Sequence, residues 1–246
     1  VRARLKPWQR PGGYFLVMYQ SWRELLFLHW EVEPAALQAL LPPGLTLDTF
    51  EGKAYIGLVP FTMRDVRPVW SPSVPWISHF HETNVRTYVH KDGEAPGVWF
   101  FSLDAANPIA VWLARTLWRL PYYTAKMHLS VEEENLRRYK TERKENPSVG
   151  GRFIWRPEGE PTPAAPGTLA HFLCERYLLY AYKGTDLWRG QVYHTPYPIQ
   201  RARLLNYEST LIAEAGVSVT GLPPLIHYAS GVDVEVFPLK KLGPRD

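Results

Sequence analysis

The chain has 246 residues, 28 basic against 24 acidic side chains for a net charge of +4, 46% hydrophobic and 14% aromatic residues, and one cysteine, Cys174. That composition is globular and excludes a disordered chain, while so mild and dispersed a charge excludes a nucleic-acid footprint. The lone cysteine rules out an intrachain disulfide and a cysteine metal cage, and no apolar run reaches the roughly 18 residues of a membrane span.

The length suits one large β-rich domain over 1–246, and such a chain buries roughly 70–75% of its unfolded surface. A reducing cytoplasm fits the cysteine usage. The basic start, VRARLKPWQRPGG, lacks the apolar core and cleavage site of a signal peptide and reads as an arm reaching about Gly13.

Tyr14 to Trp30 then mixes apolar residues with charged ones and ends in the run Leu25–Trp30, which reads as a strand. Glu33-Pro34 starts a short helix through Leu41, stopped by Pro42-Pro43-Gly44. Thr46–Phe50 and Lys53–Phe61 read as a hairpin, and the proline-rich stretch Arg67 to Pro75 as a loop. Glu82 to Val89 alternates regularly, so Glu82, Asn84, Arg86 and Tyr88 share one face of a strand. Asp92-Gly93 turns into Val98–Leu103, apolar on both faces and therefore central.

Asn107-Pro108 caps a helix to about Leu120 that is apolar nearly all round, so burial is expected, with Arg115 and Arg119 suiting its C-terminal pole. Residues 126–156 read as two or three polar strands, with the basic stretch Arg137 to Lys144 as a solvated face. Pro157 to Gly167 reads as an exposed connection, and Thr168 caps a helix into Cys174. Tyr177–Tyr182 and Leu187–His194 form a hairpin, and Ser209–Ser218 and Val232–Val236 complete the strands. Many strands with few short helices point to a mostly β (α+β) barrel or sandwich.

Two segments carry a family resemblance: RELLFLHWEVEPAALQALLPPGLTLD from Arg23 to Asp48, and FHETNVRTYVHKDGEAPGVWFFSLDAANPIAVWLARTLWRLPYYTAKM from Phe80 to Met127. They cover roughly a third of the chain and resemble the acetoacetate decarboxylase superfamily. FLCERYLLYAY and VYHTPYPIQRA resemble its uncharacterised YqjF-like branch. The resemblance implies an antiparallel β-barrel with a few short helices. It also implies that Arg23 falls on the arginine holding the substrate carboxylate and Glu82 on one of two active-site glutamates. The second glutamate would lie near Leu58 or Val59, where no acid stands, and Tyr122 occupies the place of the Schiff-base lysine.

That tyrosine matters chemically. Imine-forming decarboxylation needs a neutral amine to attack the ketone, and a phenol cannot supply one. Lys126 is the nearby substitute, since an extended 122–126 puts Tyr122, Thr124 and Lys126 on one face; a surface lysine is the simpler reading.

The Glu82–Asn84–Arg86–Tyr88 stripe is either the solvated side of a sheet or the polar wall of a cavity in which Glu82 and Arg86 satisfy one another. A buried Arg115 would require Glu82 or Glu175 as partner, and Glu175-Arg176-Tyr177 is an ion-pair anchor or a pocket rim. His79 and His81 share a face without a third ligand, so no metal site is expected. His29, His194 and His227 lie far apart in sequence and could converge in the fold, though nothing local predicts it. No nucleophile elbow supports a hydrolase triad, no phosphate-type glycine loop is present, and no cofactor is expected.

The expectation is a small carboxylate or carbonyl compound held by Arg23, Arg86, Tyr88 and Arg115, with Glu82 and Tyr122 as the acid–base and hydrogen-bonding pair. A non-catalytic interaction or structural protein and a decarboxylase using Lys126 are the alternatives. Oligomeric state stays open.

Overall fold

The computed structural model describes residues 10–12, 15–118 and 120–243. Most of the expected N-terminal arm, and Arg119 with its expected place at the helix pole, lie outside the described residues. The strands are β1 (Met18–Val32), β2 (Thr46–Leu47), β3 (Ala54–Pro68), β4 (Phe80–Lys91), β5 (Glu94–Ala105), β6 (Tyr122–Glu132) and β7 (Leu136–Arg143). After them come β8 (Gly150–Pro163), β9 (Leu178–Lys183), β10 (Asp186–Tyr193), β11 (Pro198–Ser209), β12 (Leu225–Val236) and β13 (Lys240–Lys241). Among the described residues five short α-helices interrupt them: α1 (Pro34–Gln38), α2 (Pro75–Ser78), α3 (Pro108–Leu113), α4 (Leu169–Cys174) and α5 (Leu211–Glu214). No helix among the described residues is long and apolar enough to cross a membrane.

The strands form one mostly antiparallel sheet in which β1 pairs with β3 and β12, β3 with β4, and β4 with β5. Two routes lead from β5 back to β12. One runs through β6, β7, β8 and β11; the other runs through β9 and β10. The parallel links from β5 to β6 and β9, and the β10–β12 link, are only two or three residue pairs long. The ring of strands is therefore closed in outline and thin at these links.

Alternation along the shared strands separates two cores. Leu25 and Phe27 of β1, Val59 and Phe61 of β3, and Phe80 and Tyr88 of β4 pack with α4 and Tyr197 in the first. Leu26 and Leu28, Ile56 and Leu58, and Val85 face the second, with Phe153, Trp155 and Leu211.

Parity does not run unbroken through β1. Glu24 adopts φ 55°, and the β1–β3 register shifts by one residue between Arg23 and Leu28. Above this bulge Trp22 packs on the first core, and below it Leu25 does. On β12, Gly231 lies opposite Arg23 at φ 153°, where a Cβ would come within 2.3 Å of the Trp22 carbonyl oxygen. The pairing therefore requires glycine there.

Several expectations need correction. The run 157–163 continues β8 instead of forming a connection, and β3 extends to Pro68. Leu211–Glu214 is helical where a strand was expected. α3 is not buried all round: it covers six residues, passes into a π-helical turn over Ala114–Trp118, and leaves Ile109, Trp112 and Leu113 exposed. In β7 only alternate residues are solvated. Arg137 and Arg143 are buried, with Arg137 Nε donating to Glu24 at 2.8 Å and Arg143 clamping Asp104 through both Nε and Nη2.

Candidate functional site

The Glu82–Tyr88 stripe is interior, not solvated. Glu82 is 2% exposed, Asn84 6%, Arg86 8% and Tyr88 0%. The β3–β4 ladder is regular from Ile56↔Thr87 to Met63↔Phe80, so one face of β4 points steadily at the first core. Within that face two polar centres form, because residues i and i+4 of a strand stand about 13 Å apart along the chain. Glu82 and Arg86 form no ion pair, contrary to the expectation that they would satisfy one another.

The first centre is built on Glu82. Tyr122, at the start of β6, donates its hydroxyl to Glu82 Oε2 at 3.1 Å. Burial raises the Glu82 carboxyl to about 8, against the opposing hydrogen bonds of Tyr122 and Asn84. Burial, with Glu82 beside it, pushes the Tyr122 phenol well above its usual range. At neutral pH this centre holds a protonated acid and a phenol, a set able to donate protons and not to act as an amine nucleophile. Arg115 is exposed and sits outside it. Its Nε donates to the Tyr122 backbone carbonyl at 2.6 Å, which pins the strand carrying Tyr122 and corrects the expectation of a buried carboxylate partner.

The second centre surrounds Arg86. Its Nη2 donates to the Leu173 carbonyl at 3.2 Å, and its guanidinium carbon lies 5.6 Å from the Phe27 ring centroid and 5.8 Å from that of Tyr88. Tyr88 donates to the same Leu173 carbonyl at 2.7 Å and lies 2.6 Å from His29 Nε2. His29 is fully buried, and burial, then Arg86 and His227, holds its imidazole well below the usual range. Gly57 makes room for this contact, since a Cβ there would stand 3.0 Å from the His29 ring. His194, also buried, is held down to about 4, first by burial. It packs 4.5 Å from the rings of both Tyr177 and Tyr197.

Arg23 belongs to neither centre. The Glu24 bulge turns it outward, where it donates to the Val232 carbonyl at 2.7 Å and pairs with exposed Asp233 at 2.5 Å. Lys126 is exposed on β6 opposite Glu142. Glu175 and Arg176 split by alternation. Glu175 accepts from the Tyr177 hydroxyl and the Tyr197 amide, while Arg176 pairs with Asp48 at 2.8 Å. His81 is engaged with Thr62 at 2.9 Å, and His79 lies 3.8 Å from Asp65. Among the described residues no three metal-binding side chains cluster. A surface groove of about 590 Å³ lies elsewhere, between Trp30, α1 and the 216–224 segment. Its only ionisable walls are Glu31 and Glu33, so it offers less chemistry than the buried centres.

Sequence reasoning notes that His29 and His194 could converge but assigns neither to the site. The one signal for His29 is its place in LLFLHW, on the same alternation as Leu25 and Phe27. For His194 no local signal exists, since α4 and the turn before β11 bring it in.

Residues 19–233 match the DUF2071 family, described as an uncharacterized conserved protein. The uncharacterized protein YqjF of Bacillus subtilis (strain 168) is 36% identical over 231 residues, which is 94% of each chain. Among solved structures, acetoacetate decarboxylase from Legionella pneumophila superposes with a TM-score of 0.65 at 15% identity, over 98% of this chain and 94% of that one. The enduracididine biosynthesis enzyme MppR complexed with pyruvate does so with a TM-score of 0.61 at 12% identity, over 100% and 99%. The protein thus belongs to the DUF2071 family, is YqjF-like, and has the acetoacetate decarboxylase-like fold, mostly β with a few short helices.

Proposed function

We propose that the protein binds a small carboxylate or carbonyl compound in the interior faced by the Glu82–Tyr88 stripe. Arg86 anchors the anion beside Tyr88, and the Glu82–Tyr122 pair serves as the proton-donating centre. The carrying observation is Arg86 itself. It is buried, and among the described residues its hydrogen-bond partners are the neutral Leu173 carbonyl and Tyr88 hydroxyl, while no carboxylate pairs with it. A buried cation so placed is costly until an anion joins it. MppR, of the same fold, is described in complex with pyruvate, a small carboxylate.

Chemistry at this site would be acid–base and would not run through an imine, because the sequence resemblance aligns Tyr122 with the decarboxylase lysine. Isothermal titration with acetoacetate and pyruvate tests the anchor. Arg86→Met should abolish binding and Arg23→Ala should preserve it; equal binding by Arg86→Met sinks the assignment. Borohydride trapping with acetoacetate should leave the protein mass unchanged, and an adduct on Lys126 would restore imine chemistry.

A further inference from the structure

The hydrogen-bond arithmetic around Arg86 restricts the ligand further, given the carboxylate reading above. Tyr88 has one hydroxyl proton, and the Leu173 carbonyl at 2.7 Å, which can only accept, takes it. The 2.6 Å contact between Tyr88 and His29 must therefore be an N–H donated by His29 Nε2. In a neutral imidazole the other nitrogen is then a bare acceptor, and His29 Nδ1 is buried with no protein partner.

The same reasoning applies to His194. Its Nδ1 lies 2.7 Å from the Thr195 carbonyl and must donate, which leaves Nε2 as a bare acceptor, buried and without a protein partner. Asn84 Oδ1 is a third such acceptor, one stripe position from Arg86. The Arg86 Nε–H is the matching cationic donor without a partner. All four side chains are more than nine-tenths buried. Buried polar groups in proteins are nearly always satisfied, by protein, water or ligand.

The side chains that carry these atoms gather around Arg86, whose charge acts on both His29 and His194 and which shares a strand face with Asn84. Arg86 and Tyr88 share the Leu173 carbonyl, and His29 holds Tyr88. Phe27 lies against Arg86, stacks on His29 at 6.5 Å and meets Tyr197 at 5.4 Å, which in turn touches His194. The region offers one positive donor and three neutral acceptors.

From this complement we infer that the ligand is a hydroxy-carboxylate, its carboxylate on Arg86 and its hydroxyl donating to the bare acceptors of His29, Asn84 or His194. A keto acid would bring a second acceptor to a set already rich in acceptors. An amino acid would bring a second cation beside Arg86.

The test is calorimetry on the whole protein with four matched probes: 3-hydroxybutyrate, acetoacetate, butyrate and 3-aminobutyrate. Satisfying one buried acceptor should make 3-hydroxybutyrate bind about tenfold tighter than butyrate, or about 1.4 kcal/mol. It should also exceed acetoacetate and 3-aminobutyrate, and Arg86→Met should remove all binding. Because variants of this interior can fail to fold, the wild type carries a second readout. The ¹⁵N resonances of the non-protonated ring nitrogens of His29 and His194 should move upfield with 3-hydroxybutyrate, in at least one of the two, and stay with butyrate.

If butyrate matches 3-hydroxybutyrate while binding still depends on Arg86, the acceptors hold water and the hydroxyl inference falls, leaving the carboxylate reading intact. Tighter binding of acetoacetate or 3-aminobutyrate also overturns it. If none of the four binds the folded protein, the carboxylate reading fails and takes this inference with it.

Discussion

Replacing Glu82 with glutamine should change the pH dependence of stability in a way no surface substitution can. Burial raises the Glu82 carboxyl from 4.5 to about 8. Between those values the folded protein keeps a proton that the unfolded chain has released, so raising the pH through that window costs stability. At about 1.4 kcal/mol per pH unit, the loss across the window reaches at most about 5 kcal/mol and levels off above pH 8. Glu82→Gln has no proton to lose, and its amide oxygen still accepts the Tyr122 hydroxyl. The variant should match wild type near pH 4.5 and become progressively more stable than it toward pH 8. Urea denaturation at fixed ionic strength from pH 5 to 9 measures the difference, from which His29, His194 and Glu175 cancel because both proteins carry them. Parallel stability curves, or a gap that narrows with rising pH, would refute the protonated Glu82.

Tyr122→Phe removes a hydrogen bond that favours the Glu82 carboxylate, so the Glu82 midpoint should rise above about 8 when followed by the ¹³C shift of its carboxyl; a fall contradicts the pairing. Gly57→Ala puts a Cβ 3.0 Å from the His29 ring and 3.5 Å from the Tyr88 hydroxyl, an overpacking that should cost about 1–3 kcal/mol. Chemical denaturation measures that loss and imidazole NMR the displaced His29; an unchanged protein would mean the His29–Tyr88 contact is looser than its 2.6 Å separation.

How much of this could be read from the sequence depends on how far strand alternation runs undisturbed. The β4 stripe was legible because its ladder with β3 has no register shift. Arg23 was not, because a bulge at Glu24 reverses the parity of β1, and what stabilises the bulge is tertiary. Glu24 accepts from Arg137 of β7 and Tyr228 of β12, each at 2.8 Å, and Gly231 gives way opposite. The same pairing explains why the basic run in β7 misled, since its alternate arginines are bound to carboxylates distant in sequence. The prolines from 157 to 163 argued against a strand, yet beyond Trp155 β8 pairs with β11 alone, and an edge tolerates missing N–H groups.

The chemistry of the stripe follows from that geometry in a way the residue types alone do not convey. On a helix, Glu82 and Arg86 would meet and neutralise each other; on a strand they are held about 13 Å apart and each must answer for its own burial. Glu82 does so by keeping its proton, with Tyr122 as its hydrogen-bond donor. A guanidinium has no such recourse, because it does not give up its proton in proteins. Aromatic faces, the Leu173 carbonyl and the Tyr88 hydroxyl soften its burial without neutralising it. The asymmetry between an acid that can become neutral and a base that cannot leaves the Arg86 end, and not the Glu82 end, unneutralised by the protein, which is why the proposed ligand's anion is assigned to Arg86.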